Sequence, residues 1–142
     1  VLIEQEMIGR EVECSVLEYA DGSLAVSLPG EIIVHGRDFY DYEAKYLGGS
    51  AELLTPCEME DKDYSRMAEL AKTAFRAIGC SGLARTDFFL TKKGLHLTEV
   101  NTMPGFTPIS MYPSLWAATG VDYAKLVATL IEQGLAQGTT PR

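Results

Sequence analysis

Apolar and polar residues alternate along the first third of the chain, in the pattern of half-buried β-strands. The alternation covers residues 11–19, stops at the Asp-Gly pair at 21–22, and resumes over residues 24–28. Because Asp-Gly favours a tight turn, these two segments predict a β-hairpin. The Pro-Gly pair at 29–30 then interrupts the pattern before a further predicted strand at residues 31–34.

Residues 36–50 follow neither the strand period nor the helix period, and they are rich in Asp, Tyr and Gly. We predict a long polar and aromatic loop here. Loops of this length inside a compact domain commonly serve binding or catalysis.

Apolar residues follow helical spacing over residues 62–78, which predicts an amphipathic helix that ends at Gly79. The same spacing predicts a last helix at residues 122–137. Between them, after a stretch rich in Gly and Pro, a short helix is expected to open at Pro113.

Strand patterns at residues 82–90 and 95–101 predict a second hairpin, closed by a short turn that contains Gly94. A three-residue turn with Gly94 in the left-handed conformation sets Thr91 opposite Leu95. This register decides which polar residues of the two strands face each other.

In that register Asp87 lies opposite Glu99 and Arg85 opposite Asn101, so four polar side chains share one face. Two facing carboxylates repel each other unless a cation lies between them. Hard oxygen donors suit Mg²⁺ or Mn²⁺ rather than zinc, and Arg85 is placed to bind a phosphate. The alternative is a solvated polar face in which Arg85 is a surface ion-pair partner.

An anion site is predicted beside this metal site. Residues 105–110 precede the short helix, and the free N–H groups at a helix start bind carboxylate or phosphate. By strand parity His96 is expected on the face opposite Glu99, away from both sites.

Composition and charge narrow the function classes. The chain has 142 residues, 46% hydrophobic and 23% charged, which fits one soluble globular domain and excludes disorder. Its net charge of −8 disfavours non-specific binding to nucleic acid or to an anionic membrane surface. No apolar run reaches the roughly 18 to 20 residues of a membrane span. The chain starts with Val-Leu-Ile rather than Met, so we expect it to begin inside a larger fold.

The three cysteines are odd in number and widely spaced, which excludes a disulfide framework and a zinc ribbon. We therefore expect a reduced, cytoplasmic compartment. Cys57 and Cys80 are interpreted as small buried residues.

Three segments together closely resemble the D-alanine:D-alanine ligases of the ATP-grasp superfamily. They are EVNTMPGFT at residues 99–107, GCSGLARTD at 79–87 and YDYEAKY at 40–46. The resemblance implies an α+β fold, an ATP-grasp-type antiparallel sheet flanked by helices, of which this chain is the C-terminal part. It identifies residues 1–142 as the catalytic region, with residues 1–10 as the end of the central domain and the adenine-binding linker. Residues 36–50 would be the mobile active-site loop.

The resemblance also implies roles for the hairpin residues. Asp87, Glu99 and Asn101 would hold two Mg²⁺ or Mn²⁺ ions that bridge the ATP phosphates. Arg85 would stabilise the transferring phosphoryl group and the later tetrahedral intermediate.

Further substrate contacts are implied after the hairpin and in the loop. Gly105 would supply a backbone oxyanion donor, while Ser110 and Met111 would receive the carboxylate of the second D-alanine. Lys45 would contact phosphate, and Tyr46 would shape the pocket of the incoming amino acid.

At the start of the chain, Glu4, Glu6 and Met7 resemble the adenine-binding linker, and Glu11 resembles the ribose contact. The alternative for Glu4 and Glu11 is an exposed carboxylate on a strand.

The implied function is ATP-dependent ligation of two D-alanines through an acyl phosphate, for peptidoglycan synthesis, by a cytoplasmic homodimer. The upstream part of the family pattern is not in the chain, so the segment alone is expected to be inactive. Alternatives are a D-alanine:D-lactate or D-alanine:D-serine ligase, another ATP-grasp amino-acid ligase, or a nucleotide-binding module without turnover.

Overall fold

The computed structural model describes residues 1, 3–34, 51–107 and 109–138. The strands are β1 (Arg10–Glu18), β2 (Leu24–Val26), β3 (Gly30–Val34), β4 (Ala51–Leu54), β5 (Leu83–Thr91) and β6 (Gly94–Asn101). The helices are α1 (Asp61–Ala77), α2 (Met111–Ala118) and α3 (Tyr123–Gln137). The predicted loop at residues 36–50 lies outside the described residues.

The strands form one antiparallel sheet in the order β4-β3-β1-β5-β6, and β2 also pairs with β1. This arrangement confirms the expected antiparallel sheet flanked by helices. Strand β1 lies in the middle, and every residue from Val12 to Glu18 is buried. Its polar residues are therefore covered as well as its apolar ones.

Helix α1 packs on one face of the sheet and forms the main core. The core residues of this cluster are Val12, Cys14, Val16, Cys57, Met67, Ala71, Phe75, Cys80, Ala84 and Phe88. Burial of Met67, Ala71 and Phe75 at helical spacing explains why this stretch of the chain folds as an amphipathic helix. The interpretation of Cys57 and Cys80 as buried residues is confirmed, since all three cysteines are free and buried.

A second core joins helices α2 and α3 to the end of β1. It contains Leu17, Tyr112, Trp116 and Leu126. The buried Tyr112 hydroxyl donates a hydrogen bond to the Val16 carbonyl at 2.9 Å. Helix α2 is thereby fixed to the central strand.

Of the three described helices, α3 has a side-chain N-cap hydrogen bond. Asp122 caps α3, because its side chain accepts a hydrogen bond from the Lys125 N–H at 2.8 Å. Helix α2 begins at Met111, two residues before the expected start at Pro113. A proline fits within the first helical turn because N–H groups there have no intrahelical acceptor.

Within the described ranges, no helix is both long and apolar enough to span a membrane.

Candidate active site

Residues of β1 and β5 that point away from α1 form a polar face. Ala84, Thr86 and Phe88 are buried toward the core, so the alternate residues Arg85 and Asp87 lie on the other face. Strand pairing brings further side chains to this face. Glu11 lies opposite Phe89, Glu13 opposite Asp87, and Ser15 opposite Arg85.

The expected pairing of the second hairpin is confirmed at its functional end. Asp87 lies opposite Glu99, and Arg85 lies opposite Asn101. At the turn the prediction was wrong, because Thr91 pairs with Gly94 rather than with Leu95.

A β-bulge accounts for the difference in register between the two ends of the hairpin. The register shifts between Asp87 and Phe88, so that Asp87 pairs with Glu99 while Phe88 pairs with Leu97. Thr98 is the extra residue, and its hydroxyl donates a hydrogen bond to the Asp87 carbonyl at 3.0 Å. The bulge places Glu99 opposite Asp87.

The bulge also changes the position of His96. His96 pairs with Phe89, and Phe89 shares a face with Asp87, so His96 has the parity of the polar face. The expectation that His96 points the other way was wrong, because it assumed an unbroken alternation along β6.

Arg85 is the centre of the charge arrangement. Its Nε donates to Asp87 Oδ1 and its Nη2 donates to Asp87 Oδ2, both at 2.8 Å. The same Nε lies 3.0 Å from Glu13 Oε2. Burial disfavours the charged guanidinium, but the hydrogen bonds to Asp87 and the charges of Glu13, Asp87 and Glu99 outweigh burial and raise the pKa of Arg85.

The face lines a cavity of about 290 Å³. Its lining includes four carboxylates, Glu11, Glu13, Asp87 and Glu99, together with Arg85. In a low-dielectric cleft such carboxylates favour a bound cation, since their mutual repulsion is otherwise costly.

The donor set fits a hard divalent cation. Asp87, Glu99 and Asn101 provide two carboxylates and one amide oxygen, the ligand type of Mg²⁺ and Mn²⁺. Asn101 Oδ1 already accepts a hydrogen bond from the Met103 N–H at 3.1 Å, which holds its side chain in place. In the described part of the chain, no group of three or more His, Cys, Asp or Glu side chains could hold a metal ion.

The segment before α2 forms a compact hydrogen-bonded turn. The Ser110 hydroxyl accepts from the Thr107 N–H at 3.0 Å and lies 2.8 Å from the Thr107 hydroxyl. Ser110 is the N-cap residue of α2 but makes no side-chain capping bond, and Met111 begins the helix. Gly105 lies against this turn, because a Cβ built on it would be 2.9 Å from Ser110 Oγ.

The structure brings some predicted site residues together and leaves others apart. Arg85, Asp87, Glu99 and Glu11 line the cavity. Glu4 and Glu6 are exposed in a segment without regular structure, Met7 is half-buried there, and all three lie outside the cavity lining. Asn101, Gly105, Ser110 and Met111 also lie outside it, and Lys45 and Tyr46 lie outside the described residues.

Glu13 is a site residue that the sequence reasoning missed. It follows Glu11 by two positions on one strand, and this spacing was the available signal for a shared face. Its contact with Arg85 depends on the pairing of β1 with β5, which are distant in sequence.

Comparison with known proteins gives a consistent result. The family described as D-ala D-ala ligase C-terminus matches residues 1–132. A D-alanine–D-alanine ligase from Mycolicibacterium paratuberculosis is 52% identical over 143 residues, covering 97% of this chain and 39% of the relative. The chain therefore spans well under half the length of this curated relative.

Two solved structures extend the comparison to the fold. VanG D-Ala:D-Ser ligase from Enterococcus faecalis is 35% identical with a TM-score of 0.78, covering 91% of this chain and 37% of that chain. A D-alanine–D-alanine ligase from Bacillus anthracis complexed with ATP is 25% identical with a TM-score of 0.73, covering 93% of this chain and 40% of that chain.

Proposed function

The chain belongs to the D-ala D-ala ligase C-terminus family, and from this premise we propose that it forms the catalytic part of an ATP-dependent ligase. The reaction would join two D-alanines into D-alanyl-D-alanine for peptidoglycan synthesis. The observation that carries the proposal is the pairing of Asp87 with Glu99 beside Arg85 on one face of the sheet. A relative of this chain has been solved in complex with ATP, which supports ATP as the nucleotide.

The proposed route passes through an acyl phosphate. The carboxylate of the first D-alanine attacks the γ-phosphorus of ATP, and ADP leaves. The amine of the second D-alanine then attacks the acyl carbon, phosphate leaves, and the amine loses a proton. Phosphoryl transfer depends mainly on positioning and charge neutralisation, so no protein nucleophile is required.

Asp87, Glu99 and Asn101 are the proposed ligands for two Mg²⁺ or Mn²⁺ ions. When bound, such ions neutralise the charge of the ATP phosphates. The proposal rests on the oxygen-donor set and on the cross-strand pairing of the two carboxylates.

Arg85 is proposed to stabilise the transferring phosphoryl group and the tetrahedral intermediate, because its planar guanidinium binds oxyanions with two parallel hydrogen bonds. Gly105 is proposed to donate its backbone N–H to the developing oxyanion. Ser110, by its hydroxyl, and Met111, by its backbone N–H, are proposed to bind the carboxylate of the second D-alanine. Met111 is the first residue of α2, so its N–H has no intrahelical acceptor.

The remaining site residues bind the nucleotide or cover the site. Glu4, Glu6 and Met7 are proposed to contact adenine, and Glu11, which lines the cavity, is proposed to contact ribose. Lys45 is proposed to contact phosphate and Tyr46 to shape the second amino-acid pocket. The whole protein is proposed to be a cytoplasmic homodimer whose partners are ATP and two molecules of D-alanine, without nucleic acid or membrane.

A different second substrate is the main alternative. The similarity to VanG D-Ala:D-Ser ligase favours D-serine as the substrate to be tested first, and D-lactate follows as the second. The loop that carries Lys45 and Tyr46 is the proposed determinant of this choice.

The test is phosphate release by the full-length protein that contains this chain, with ATP and Mg²⁺ at neutral pH. D-alanine alone is compared with D-alanine plus D-serine or D-lactate, and the product is identified by mass spectrometry. We expect phosphate release with D-alanine alone and a D-alanyl-D-alanine product. Turnover only with a second acceptor would contradict the substrate assignment, and no turnover with any of them would contradict the proposed function.

A further inference from the structure

Glu13 is a nearly fully buried carboxylate on the polar face, outside the residues assigned above. Only 2% of its side chain is exposed, compared with 18% for Arg85. Burying a carboxylate is costly unless a cation neutralises it, and Arg85 Nε lies 3.0 Å from Glu13 Oε2. The position of Glu13 is therefore tied to that of Arg85.

Arg85 is bound to a residue that is itself a proposed metal ligand. Both oxygens of Asp87 accept hydrogen bonds from Arg85, at 2.8 Å each. A divalent cation on Asp87 competes with the guanidinium for the same oxygens and repels it. Arg85 needs a second carboxylate to stay in the site when Asp87 binds a cation.

The geometry around Nε provides that second carboxylate. Nε carries a single hydrogen, which is donated to Asp87 Oδ1 in this structure. Glu13 Oε2 is 3.0 Å from the same nitrogen, so a turn of the guanidinium lets Nε–H donate to Glu13 instead of Asp87 with little displacement of Nε. Glu13 also lies directly opposite Asp87 in the β1–β5 ladder, and backbone pairing fixes its distance.

We propose that Glu13 is the positioning residue of Arg85, which keeps the guanidinium at the reaction centre when Asp87 turns to a metal ion. This inference rests on the proposed function for the identity of the metal ligands. It assigns Arg85 both Asp87 and Glu13 as partners without the cation, and Glu13 alone when Asp87 binds the cation.

The test measures Mn²⁺ binding to the full-length protein in the presence of a non-hydrolysable ATP analogue, by titration calorimetry, alongside kcat and KM. In Glu13→Gln the guanidinium stays on Asp87 and competes with the cation. We expect Mn²⁺ affinity to fall about 10- to 100-fold, the range found when partners of metal ligands are removed. The kcat should fall in parallel, while the KM for D-alanine changes little.

Glu18→Gln is the matched control. Glu18 is also a buried carboxylate of β1, but it accepts hydrogen bonds from the Gly82 N–H at 2.9 Å and from Gln133 at 2.8 Å, away from Arg85. This variant is expected to lower the melting temperature and to leave Mn²⁺ affinity unchanged. Equal losses of Mn²⁺ affinity in the two variants would overturn the proposal.

A double-mutant cycle separates positioning from direct attraction of the cation by Glu13. In an Arg85→Ala background, Glu13→Gln is expected to change Mn²⁺ affinity by less than about twofold, because the residue that it positions is gone. The same loss with and without Arg85 would overturn the proposal. Because the cycle measures Mn²⁺ affinity rather than turnover, it remains decisive even where the ligase assay contradicts the proposed function.

Glu13→Asp tests the inference if Glu13→Gln fails to fold. It keeps the charge but withdraws the carboxylate by one methylene group from Arg85. We expect an intermediate loss of Mn²⁺ affinity, and a wild-type affinity together with a wild-type kcat would overturn the proposal.

Discussion

Two carboxylates held opposite each other on a sheet need a positive charge nearby, and Arg85 supplies one in this structure. It donates hydrogen bonds to Asp87 from Nε and Nη2, and its Nε also contacts Glu13. The residue therefore offsets part of the negative charge on the face where the proposed metal ligands lie. A cation bound to Asp87, as proposed, would share its oxygens with Arg85, so the chemistry of this face would depend on a few individual atoms.

Replacing Asp87 by Asn tests the metal assignment at a single atom. Asn keeps the shape and one oxygen but removes the charge. We expect Mn²⁺ affinity of the full-length protein to fall by at least about tenfold, since even indirect partners of metal ligands contribute this much. Electron paramagnetic resonance of Mn²⁺ measures the change, and an unaltered dissociation constant would show that Asp87 is not a ligand.

Gly105→Ala tests the turn before α2. A Cβ at this position would lie 2.9 Å from Ser110 Oγ and would displace a hydroxyl that accepts from the Thr107 N–H. If Ser110 binds the second D-alanine, the KM for that substrate should rise by about tenfold or more, because a hydrogen bond to a charged group contributes this much binding free energy. Steady-state kinetics with varied D-alanine measures the change.

Gly134→Ala is the control for that experiment, because a Cβ at Gly134 meets no atom within 4 Å. The KM for the second D-alanine should stay at its wild-type value in this variant. A wild-type KM in Gly105→Ala as well would argue against a role for Ser110 in substrate binding.

At the scale of elements, the sequence predicts most of the helices and strands within one or two residues. Helix α1 was expected at residues 62–78 and spans Asp61–Ala77, since its periodic apolar residues are buried against the sheet. The bulge at Thr98 was not predicted, because the alternation along β6 was taken as unbroken although its apolar residues, at 95, 97 and 100, shift phase by one there. The pairing at the functional end was nevertheless right, since an assumed longer turn shifts the register by the same one residue as the bulge.

Other features depend on contacts that are distant along the chain. Strand β4 (Ala51–Leu54) was not predicted, because Ala and Glu disfavour strands and its pairing with β3 sets its conformation. The contact between Glu13 and Arg85 similarly needs the pairing of β1 with β5. Of the candidate site, the facing pairs of the hairpin were therefore predictable, whereas the contact of Glu13 with Arg85 was not.

Two glycine substitutions test element packing in opposite directions. Gly134→Ala, in the interior of α3, is expected to raise the free energy of unfolding by about 0.5–1 kcal/mol, because Gly is the less favourable residue in a helix. Gly30→Ala is expected to lower it by about 1–3 kcal/mol through overpacking. A Cβ on Gly30 would lie 2.7 Å from Met111 Cε and 2.8 Å from Leu115 Cδ2. Urea unfolding of the full-length protein measures both, and a destabilised Gly134→Ala or an unaffected Gly30→Ala would contradict the packing described.

At the scale of the whole molecule, the buried thiols report whether the 142-residue chain folds by itself. Burial raises the pKa of Cys14 to about 12, and burial also raises the pKa values of Cys57 and Cys80. Thiolate is the reactive form, so the folded chain should resist iodoacetamide at pH 8 and label at three positions in urea. Mass spectrometry counts the labels, and rapid labelling of Cys14 without urea would show that the sheet does not form in isolation.

The folded chain is then expected to be inactive without the rest of the ligase. It spans 39% of the length of a ligase with which it shares 52% identity, so most of such an enzyme lies outside it. Arg85 and the metal ions proposed on Asp87 and Glu99 would neutralise phosphate charge, but phosphoryl transfer also requires the attacking carboxylate to be held in line. We expect no D-alanine-dependent phosphate release from the 142-residue chain once the labelling experiment has shown that it is folded, with the full-length protein as the positive control. Measurable release from the chain alone would mean that its own residues suffice to position the first D-alanine. It would contradict the expectation that the rest of the enzyme is needed for this step.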